Sequence, residues 1–237
     1  MNIIVTGASR GIGYQTALKL AADPAHAVLA VSRNEKALKS LENECLKKNP
    51  DARIGILPFD LEDLGKIGDG LAERAARSFE RLDALVNNAG LLIKKTVKAV
   101  DPDELQRMMT VNFIAPLMLV RALMPLLEKA PAAHVVNIGS MAGFQGSRKF
   151  PGLSGYGASK AAVHVLTECL AVEFADSTVR FNALALGSVQ TEMLGEAFPG
   201  LKAPLRDFEM AEFFCDFALN GHRYFNGKVL PVALLTP

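Results

Sequence analysis

The stretch that decides the fold is Thr6-Gly7-Ala8-Ser9-Arg10-Gly11-Ile12-Gly13, close to the start of the chain. It follows an apolar segment, residues 2–6, that has the length and composition of a short β-strand. An amphipathic pattern typical of a helix begins directly afterwards and extends to residue 22. Gly7 permits a tight turn between the two because it has no Cβ atom. The stretch therefore predicts a strand–turn–helix unit.

The glycines of this turn also suit contact with phosphate groups. Gly11 allows a pyrophosphate to approach the backbone closely, and Gly13 allows the helix to pack against the strand. The first N–H groups of the helix and the positive end of its dipole face the same point. The spacing Gly-x-x-x-Gly-x-Gly differs from the general dinucleotide fingerprint Gly-x-Gly-x-x-Gly. The position after a first strand favours a dinucleotide site over the alternative, a glycine-rich turn that only connects two elements.

Strand-like and helix-like segments alternate along the rest of the 237 residues. Most predicted strands are continuously apolar, which is typical of strands buried on both faces of a parallel sheet. Strands separated by helices imply right-handed βαβ units. We predict strands at 2–6, 27–32, 53–59, 82–87, 134–139, 179–186 and 228–235, and helices at 12–22, 34–48, 64–79, 103–129, 154–175 and 208–219.

This pattern predicts a three-layer, doubly wound α/β fold with a seven-stranded parallel sheet, formed by one domain over residues 1–237. Pro116 and Pro125 predict a kink or break in the long fourth helix. Pro231 places the last strand at a sheet edge, where a missing N–H is tolerated. The irregular segment 191–207 predicts a short substrate loop, because loops of this length often act as lids.

Composition narrows the class of protein. Half of the residues are hydrophobic and the net charge is +1, which gives no reason to expect nucleic acid or an anionic membrane as a partner. No apolar run reaches the roughly 20 residues of a membrane span. The first strand begins almost at Met1, so we expect no signal peptide and a cytoplasmic location. The cysteines lack metal-ligand spacing, so we predict no metal site and interpret Cys169 and Cys215 as reduced core residues.

The end of the second strand bears on the choice of nucleotide. An acidic residue there would bind the ribose 2′-OH of NAD, but this chain has Arg33, with Arg10 in the glycine loop. Two guanidinium groups suit a 2′-phosphate, which favours NADP over NAD; the alternative is that both are solvated surface arginines. Asp60, after the third strand, could accept a hydrogen bond from the adenine amino group or cap a helix.

Tyr156 and Lys160 form a pair that could take part in proton transfer. Residues four apart share a face of a helix. A phenol is a weak acid with a pKa of about 10, and a nearby ammonium group lowers that pKa. The pair could therefore give or take a proton at a carbonyl/alcohol couple.

Together these residues resemble the single-domain type of the short-chain dehydrogenase/reductase family, over nearly the whole chain. The glycine loop matches the family's spacing, and Asn87-Asn88-Ala89-Gly90 matches its second motif. Asn112, Ser140, Tyr156 and Lys160 match the catalytic tetrad in order. The resemblance implies a Rossmann fold, a nicotinamide cofactor and a homodimer or homotetramer.

The resemblance also implies a role for each residue of the tetrad. Tyr156 would be the general acid in reduction and the general base in oxidation, and Lys160 would lower its pKa and hold the nicotinamide ribose. Ser140 would hydrogen-bond the substrate oxygen, and Asn112 would hold a water that links Lys160 to solvent. The expected cofactor-binding residues are Gly7, Ser9, Arg10, Gly11, Ile12, Gly13, Arg33, Asp60, Leu61, Asn88, Ala89, Gly90, Tyr156, Lys160, Val189 and Thr191.

Three features depart from the family pattern. Ser140 and Tyr156 are 16 positions apart, a few more than usual, and the extra length in 146–155 should reshape one wall of the substrate pocket. The family's Pro-Gly after the sixth strand is replaced by a Leu-Gly pair at 186–187. The usual acidic-Gly-Gly ending, a segment that commonly contributes to tetramer contacts, is missing from residues 232–237.

These observations predict an NADP(H)-dependent carbonyl reductase or alcohol dehydrogenase that acts on a small-molecule ketone or alcohol. A non-catalytic dinucleotide sensor or scaffold with the same fold is the alternative. A related sugar-nucleotide epimerase would need a larger C-terminal domain than the 50 residues after Gly187 provide. An apolar pocket wall, which suits a hydrophobic carbonyl compound, is expected from Phe144, Phe150, Leu153, Met193 and Phe198; core packing or a subunit interface is the other explanation of these residues.

Overall fold

The structure, a computed structural model, describes residues 1–234. Its strands are β1 (Asn2–Thr6), β2 (Ala27–Ser32), β3 (Arg53–Pro58), β4 (Ala84–Asn87), β5 (Ala133–Ile138), β6 (Val179–Leu186), β7 (Val189–Gln190), β8 (Leu205–Arg206) and β9 (Lys228–Val232). Seven of these form one all-parallel sheet in the order β3-β2-β1-β4-β5-β6-β9. The predicted doubly wound sheet is confirmed. Residues 235–237, which include Leu235, the last residue of the predicted final strand, lie outside the described residues.

Helices cover both faces of this sheet. They are α1 (Gly11–Ala21), α2 (Glu35–Lys48), α3 (Glu73–Ser78), α4 (Pro102–Met109), α5 (Ala115–Leu127), α6 (Ser154–Glu173), α7 (Glu192–Ala197) and α8 (Asp207–Asn220). Alternate residues of β1 point to opposite faces, so Ile3 and Val5 pack with α1, α2 and α8, while Ile4 packs with the side of α3, α5 and α6. All three side chains are fully buried, which explains why the strand is continuously apolar.

Two predicted helices contain widened π-helical turns. The predicted helix 64–79 consists of a short 3₁₀ turn, a π turn at Ile67–Ala72 that contains Gly68 and Gly70, and α3. The predicted helix 103–129 is interrupted by a π turn at Thr110–Ile114, between α4 and α5. The break precedes Pro116, since a proline cannot donate to the carbonyl one turn earlier.

The helical stretch Pro102–Leu127 is long and apolar enough, by length and composition, to cross a membrane. In the structure 56% of its most apolar window is buried inside the protein. Leu119 and Leu123, for example, are fully buried in the core beside the sheet. A core helix of this kind satisfies the same length and composition criteria as a membrane span.

The segment predicted to be irregular, 191–207, contains more regular structure than expected. Thr191 accepts a hydrogen bond from the Leu194 N–H and caps α7. Strand β7, just before the segment, and strand β8, near its end, form a two-residue parallel pair. The segment is therefore less irregular than predicted, because α7 and β8 have only six and two residues and leave little periodic pattern in the sequence; its role as a substrate loop stays a prediction.

Two local predictions have opposite outcomes. Among the strands of residues 1–234, β9 pairs with β6 alone, and it carries Pro231, so the predicted edge position is confirmed. Cys169 is exposed on α6 and Cys215 is half-buried, so the interpretation of Cys169 as a core residue is wrong. The reason is helical periodicity: the buried face of α6 carries Thr167 and Leu170, and Cys169 lies between them on the outer side.

The strand order reverses between β1 and β4, which places a crevice at the carboxyl end of the sheet. The chain leaves β1 at Thr6, β2 at Ser32, β4 at Asn87 and β5 at Ile138, all at this same edge. The predicted site residues follow these strand ends, so the topology brings them together.

Candidate active site

The glycine loop has the backbone geometry that its sequence predicts. Gly7 and Gly11 have φ angles of 69° and 56°, in the left-handed region that favours glycine. A Cβ atom at Gly7 would lie 2.8 Å from the Cα of Ala89. A Cβ atom at Gly13 would overlap the Asn88 side-chain nitrogen and the Gly7 carbonyl oxygen. The loop is therefore packed tightly against the end of β4.

The N-terminus of α1 remains available to a ligand. Its N-cap residue is Arg10, whose side chain makes no capping hydrogen bond, and the first turn contains no acidic residue. The free N–H groups and the positive end of the helix dipole therefore face the cavity, and the carboxylate beside them comes from Glu192 of α7, 3.5 Å from where a Cβ atom at Gly11 would lie. This arrangement fits a pyrophosphate.

Asn88 and Thr6 hold the loop in place. The Asn88 side-chain amide donates to the Thr6 carbonyl at 3.0 Å and to the Gly7 carbonyl at 3.3 Å. The Thr6 hydroxyl in turn accepts from the backbone N–H groups of Asn88 and Ala89, each at 3.1 Å. Asn88, which was predicted to bind the cofactor, thus also fixes the shape of the phosphate loop.

A single cavity of about 750 Å³ runs from the end of β2 to Tyr156. Ser140 lines this cavity. All of the predicted cofactor-binding residues line it as well: Gly7, Ser9, Arg10, Gly11, Ile12, Gly13, Arg33, Asp60, Leu61, Asn88, Ala89, Gly90, Tyr156, Lys160, Val189 and Thr191. The cavity is of the size that proteins use for small ligands. The residues present therefore fit a dinucleotide that extends from the glycine loop toward Tyr156.

At the far end of the cavity, carboxylate groups lie beside both of the predicted cofactor-binding arginines, Arg10 and Arg33. Arg33 Nη1 lies 3.2 Å from Glu62 Oε1 and 3.8 Å from Asp60 Oδ2. Arg107 of α4 donates to both oxygens of Glu62, at 2.8 Å and 3.0 Å. Arg33 is therefore one member of a network of four charged side chains.

Arg10 makes a contact of a different kind. Its guanidinium donates to Glu196 of α7 at 2.6 Å and 3.5 Å, which joins the glycine loop to the segment 191–207 across the cavity. Both side chains are about half exposed or more, so the ion pair itself adds little stability. Arg10 remains close enough to solvent to accept another anion.

Tyr156, Lys160 and Ser140 lie at the other end of the cavity. Tyr156 and Lys160 share the buried face of α6, and Lys160 Nζ is 6.0 Å from the centre of the Tyr156 ring. Lys160 donates to the Ile138 carbonyl at 2.7 Å, which holds the ammonium group at the end of β5. The Ser140 hydroxyl accepts from the Ala142 N–H at 3.1 Å and borders the same cavity.

The protonation of this pair differs from the sequence-based expectation. Burial raises the pKa of Tyr156 above its usual value, and the Ser140 side chain offsets only part of the rise. Burial lowers the pKa of Lys160 to about 8. The net direction for the Tyr156 pKa is therefore opposite to the lowering expected from Lys160, because burial disfavours both charged forms. Near neutral pH the phenol is neutral.

Asn112 contributes to the site indirectly. It is buried in the π turn, and its side-chain amide donates to the Leu91 carbonyl and the Ser159 hydroxyl, each at 2.8 Å. Its side-chain oxygen accepts from the Leu91 N–H at 2.8 Å. These bonds connect the loop after β4 to the helix that carries Tyr156. The role of water ligand for Asn112 stays a prediction.

The long connection between Ser140 and Tyr156 folds back on itself. Lys149 Nζ donates to the Phe144 carbonyl at 2.5 Å and to Ser147 Oγ at 2.8 Å. Gly152 accepts from the Lys95 N–H at 3.0 Å, which ties the connection to the loop after β4. The additional residues are accommodated in this loop while Ser140 and Tyr156 still face one cavity.

The cavity wall around Tyr156 is apolar. Leu91, Leu92, Leu153 and Phe198 form a cluster with the tyrosine, and Phe150 lies edge-on to Phe198. Phe150, Leu153, Met193 and Phe198 line the cavity as predicted, whereas Phe144 is turned toward the ring of His164 instead. Of the charged residues lining the cavity within 1–234, the one beside Tyr156 is Lys160, those at its far end are Arg10, Arg33, Asp60 and Glu62, and Glu192 lines it at the start of α7.

Sequence reasoning missed three participants. Glu62 lies two positions after Asp60 and gave a weak signal, whereas Arg107 is 45 residues farther along the chain and gave none. His164 lies four residues after Lys160, and its buried ring occupies the space that a Cβ atom at Gly139 would need. Its size explains why the residue before Ser140 is a glycine.

Comparison with known proteins supports this description. A short chain dehydrogenase family model matches residues 1–202. An uncharacterized oxidoreductase of Staphylococcus saprophyticus is 31% identical over 209 residues, which are 88% of this chain and 87% of that protein.

Solved structures give the same result. A short chain dehydrogenase of Shigella flexneri 2a complexed with NADP has a TM-score of 0.85 at 29% identity, covering 97% of this chain and 95% of the other. One of Escherichia coli CFT073 complexed with NADPH has a TM-score of 0.86 at 30% identity, covering 97% and 95%. With its sheet order, glycine loop and Tyr156–Lys160 pair at the strand ends, the chain belongs to the short-chain dehydrogenase/reductase family.

Proposed function

We propose that the protein is an NADP(H)-dependent carbonyl reductase or alcohol dehydrogenase whose substrate is uncharged and apolar near the reacting group. The observation that carries this proposal is the shared cavity: Tyr156, Ser140 and Lys160 line one end, and the glycine loop lines the middle. A nucleotide anchored at the loop would extend toward the tyrosine. The bound dinucleotide would supply or accept the hydride, and the protein would supply position and proton transfer.

Tyr156 is the proposed proton donor in the direction of carbonyl reduction. Its raised pKa keeps the phenol protonated near neutral pH, and the residue lines the cavity. Ser140 is the proposed second donor to the same oxygen, which would stabilise negative charge as it develops there. Lys160, positive over much of the range below its pKa of about 8, would add a favourable charge next to this oxygen.

The charges at the far end of the cavity support NADP. Arg33 and Arg10 are the cations of this region, and both border the cavity. A 2′-phosphate would accept hydrogen bonds from guanidinium groups more strongly than a ribose hydroxyl would. The Shigella and E. coli relatives were crystallised with NADP and NADPH, which is consistent with this assignment.

The apolar wall supports the proposed substrate class. Around Tyr156 the contacts offered to a substrate are hydrocarbon and aromatic, from Leu91, Leu92, Leu153, Phe150 and Phe198. A charged substrate group buried among these side chains would lose its hydration, and the cations on the rings of Phe198 and Phe150, Lys94 and Arg148, do not line the cavity. Neutral ketones or aldehydes with aliphatic or aromatic substituents meet no such cost.

The experiment is a turnover assay with purified protein, NADPH or NADH, and a panel of neutral aliphatic, alicyclic and aromatic ketones and aldehydes, with charged keto acids for comparison. We expect NADPH oxidation with members of the neutral set and none with the keto acids. NADPH binding without turnover across the panel would contradict the enzymatic proposal and favour a dinucleotide sensor.

Cofactor choice has a separate test. Arg33→Asp should shift the preference from NADPH to NADH, because a carboxylate repels the 2′-phosphate and can accept from the ribose hydroxyl. Arg53→Asp makes the same charge change at an exposed residue at the start of β3, outside the cavity, and should leave the preference unchanged. An unaltered NADPH/NADH ratio in Arg33→Asp would refute the role of Arg33.

A further inference from the structure

We infer that Arg107 is a positioning residue for cofactor selectivity: it holds the carboxylate of Glu62 and so keeps Arg33 available to a 2′-phosphate. The inference rests on the proposed use of NADP(H). It is carried by the geometry of Glu62, whose carboxylate lies between two arginines and borders the cavity at the nucleotide end.

The two arginines hold Glu62 unequally. Arg107 approaches with its Nε and Nη2 groups and binds both carboxylate oxygens, at 2.8 Å and 3.0 Å. Arg33 makes one longer hydrogen bond, from Nη1 to Oε1 at 3.2 Å. Paired donors on a carboxylate fix its orientation as well as its charge, so Arg107 sets where the Glu62 carboxylate lies.

The charge of Glu62 requires a partner. Its pKa is below the usual value, chiefly because Arg107 donates hydrogen bonds to it, so the carboxylate stays ionised at neutral pH. Without Arg107, the cation that remains within reach of this anion is Arg33, whose guanidinium also lies 3.8 Å from Asp60. Arg33 would then face two carboxylates whose charge nothing else in the network offsets.

A 2′-phosphate would compete with these carboxylates for Arg33. Its charge makes it sensitive to a nearby unshielded anion, whereas a ribose 2′-OH is neutral and can donate to a carboxylate. Loss of Arg107 should therefore weaken binding of NADP(H) and leave binding of NAD(H) unchanged or stronger. Arg107 does not line the cavity, and its side-chain hydrogen bonds go to Glu62, so we expect the effect to act through Glu62.

The test uses two probes that isolate the nucleotide end, 2′,5′-ADP and 5′-AMP, with affinities measured by isothermal titration calorimetry. Arg107→Ala should weaken binding of 2′,5′-ADP by about 2–5-fold, the scale of one partly exposed charge contact, and leave 5′-AMP unchanged. Glu62→Gln should bind 2′,5′-ADP more tightly than the wild type. In the double variant, Arg107→Ala should have no further effect, because the anion that it restrains is absent.

A matched control comes from α3. Arg77 also pairs with a glutamate on the protein surface, with its Nη2 group 2.8 Å from Glu73, but lies outside the cavity. Arg77→Ala should change neither affinity. Equal weakening of both probes by Arg107→Ala, or an effect that persists with Glu62→Gln, would show a general structural role and overturn the inference.

The failure of the inference and of the proposed function can be distinguished in the same experiment. Wild-type protein that binds 2′,5′-ADP no more tightly than 5′-AMP would contradict the NADP proposal, and the inference with it. If the wild type prefers 2′,5′-ADP and the Arg107→Ala variant shows the same preference, the result would contradict the role of Arg107 but not the NADP proposal.

Discussion

Substitution of Gly13 by alanine tests the packing that shapes the glycine loop. Gly13 lies in the first turn of α1 and has no unusual φ angle, so alanine would be favoured there by helix propensity, by about 1 kcal/mol. Its new methyl group would nevertheless overlap the Asn88 amide nitrogen and the Gly7 carbonyl oxygen, and would lie 3.0 Å from the Gly7 carbonyl carbon. The structure therefore predicts destabilisation against the intrinsic preference.

The magnitude follows from these contacts. Insertion of a methyl group into a well-packed region costs about 1–3 kcal/mol, and displacement of the Asn88 amide from the Thr6 and Gly7 carbonyls adds about 1–2 kcal/mol. When the gain in helix propensity of about 1 kcal/mol is subtracted from these costs, the expected loss in the free energy of unfolding is about 1–4 kcal/mol. For a chain of this length that lowers Tm by about 2–15 °C. Dinucleotide affinity should fall as well, since the loop must shift.

The assay is thermal unfolding followed by circular dichroism, with NADPH affinity measured by fluorescence titration. Gly195→Ala is the matched control: Gly195 lies in α7, and a Cβ atom there would meet nothing within 4 Å. The control should be neutral or slightly stabilised. A Gly13→Ala protein with wild-type Tm and wild-type NADPH affinity would refute the packing described for the loop.

Three further predictions concern buried polar groups. The wild type should gain up to roughly 3 kcal/mol of stability, relative to Lys160→Met, as pH rises from about 8 to 10.5. The reason is that folded Lys160, with its pKa of about 8, has released its proton in this range, whereas the unfolded chain still binds it. Denaturant unfolding across this pH range measures the gain. The wild type should lose stability, relative to His134→Gln, as pH falls from 6.5 toward 4. Burial lowers the pKa of folded His134 to about 4, so the unfolded state takes up the proton first. Denaturant unfolding at both pH values tests this. Asn112→Ala should cost about 1–3 kcal/mol by urea unfolding, because the Leu91 backbone loses both partners; wild-type stability in this variant would contradict the described bonds.

The sheet and the phosphate loop could be predicted because local patterns encode them. Continuous apolar runs such as Ala27–Ser32 reflect burial on both faces, and glycine at positions 7 and 11 reflects left-handed backbone. Pro231 likewise identified its strand as an edge strand. In each case the side chain or its absence determines the local structure with little help from distant residues.

Other features depend on contacts between distant segments and left no local pattern. Arg107 reaches Glu62 from another helix, and the Arg10–Glu196 pair joins residues 186 positions apart. The raised pKa of Tyr156 depends on its depth of burial, which the four-residue spacing to Lys160 does not encode. Helix α7 is too short for periodicity to reveal.

The central claim is that Tyr156 passes a proton to a carbonyl substrate beside a bound NADPH. The most direct measurement compares wild type and Tyr156→Phe for NADPH oxidation with whichever neutral ketone the wild type reduces, together with NADPH affinity. Loss of the hydroxyl should lower kcat/KM by at least about 100-fold while NADPH affinity stays within about twofold, because the ring and its packing remain. Full activity in Tyr156→Phe would contradict the account.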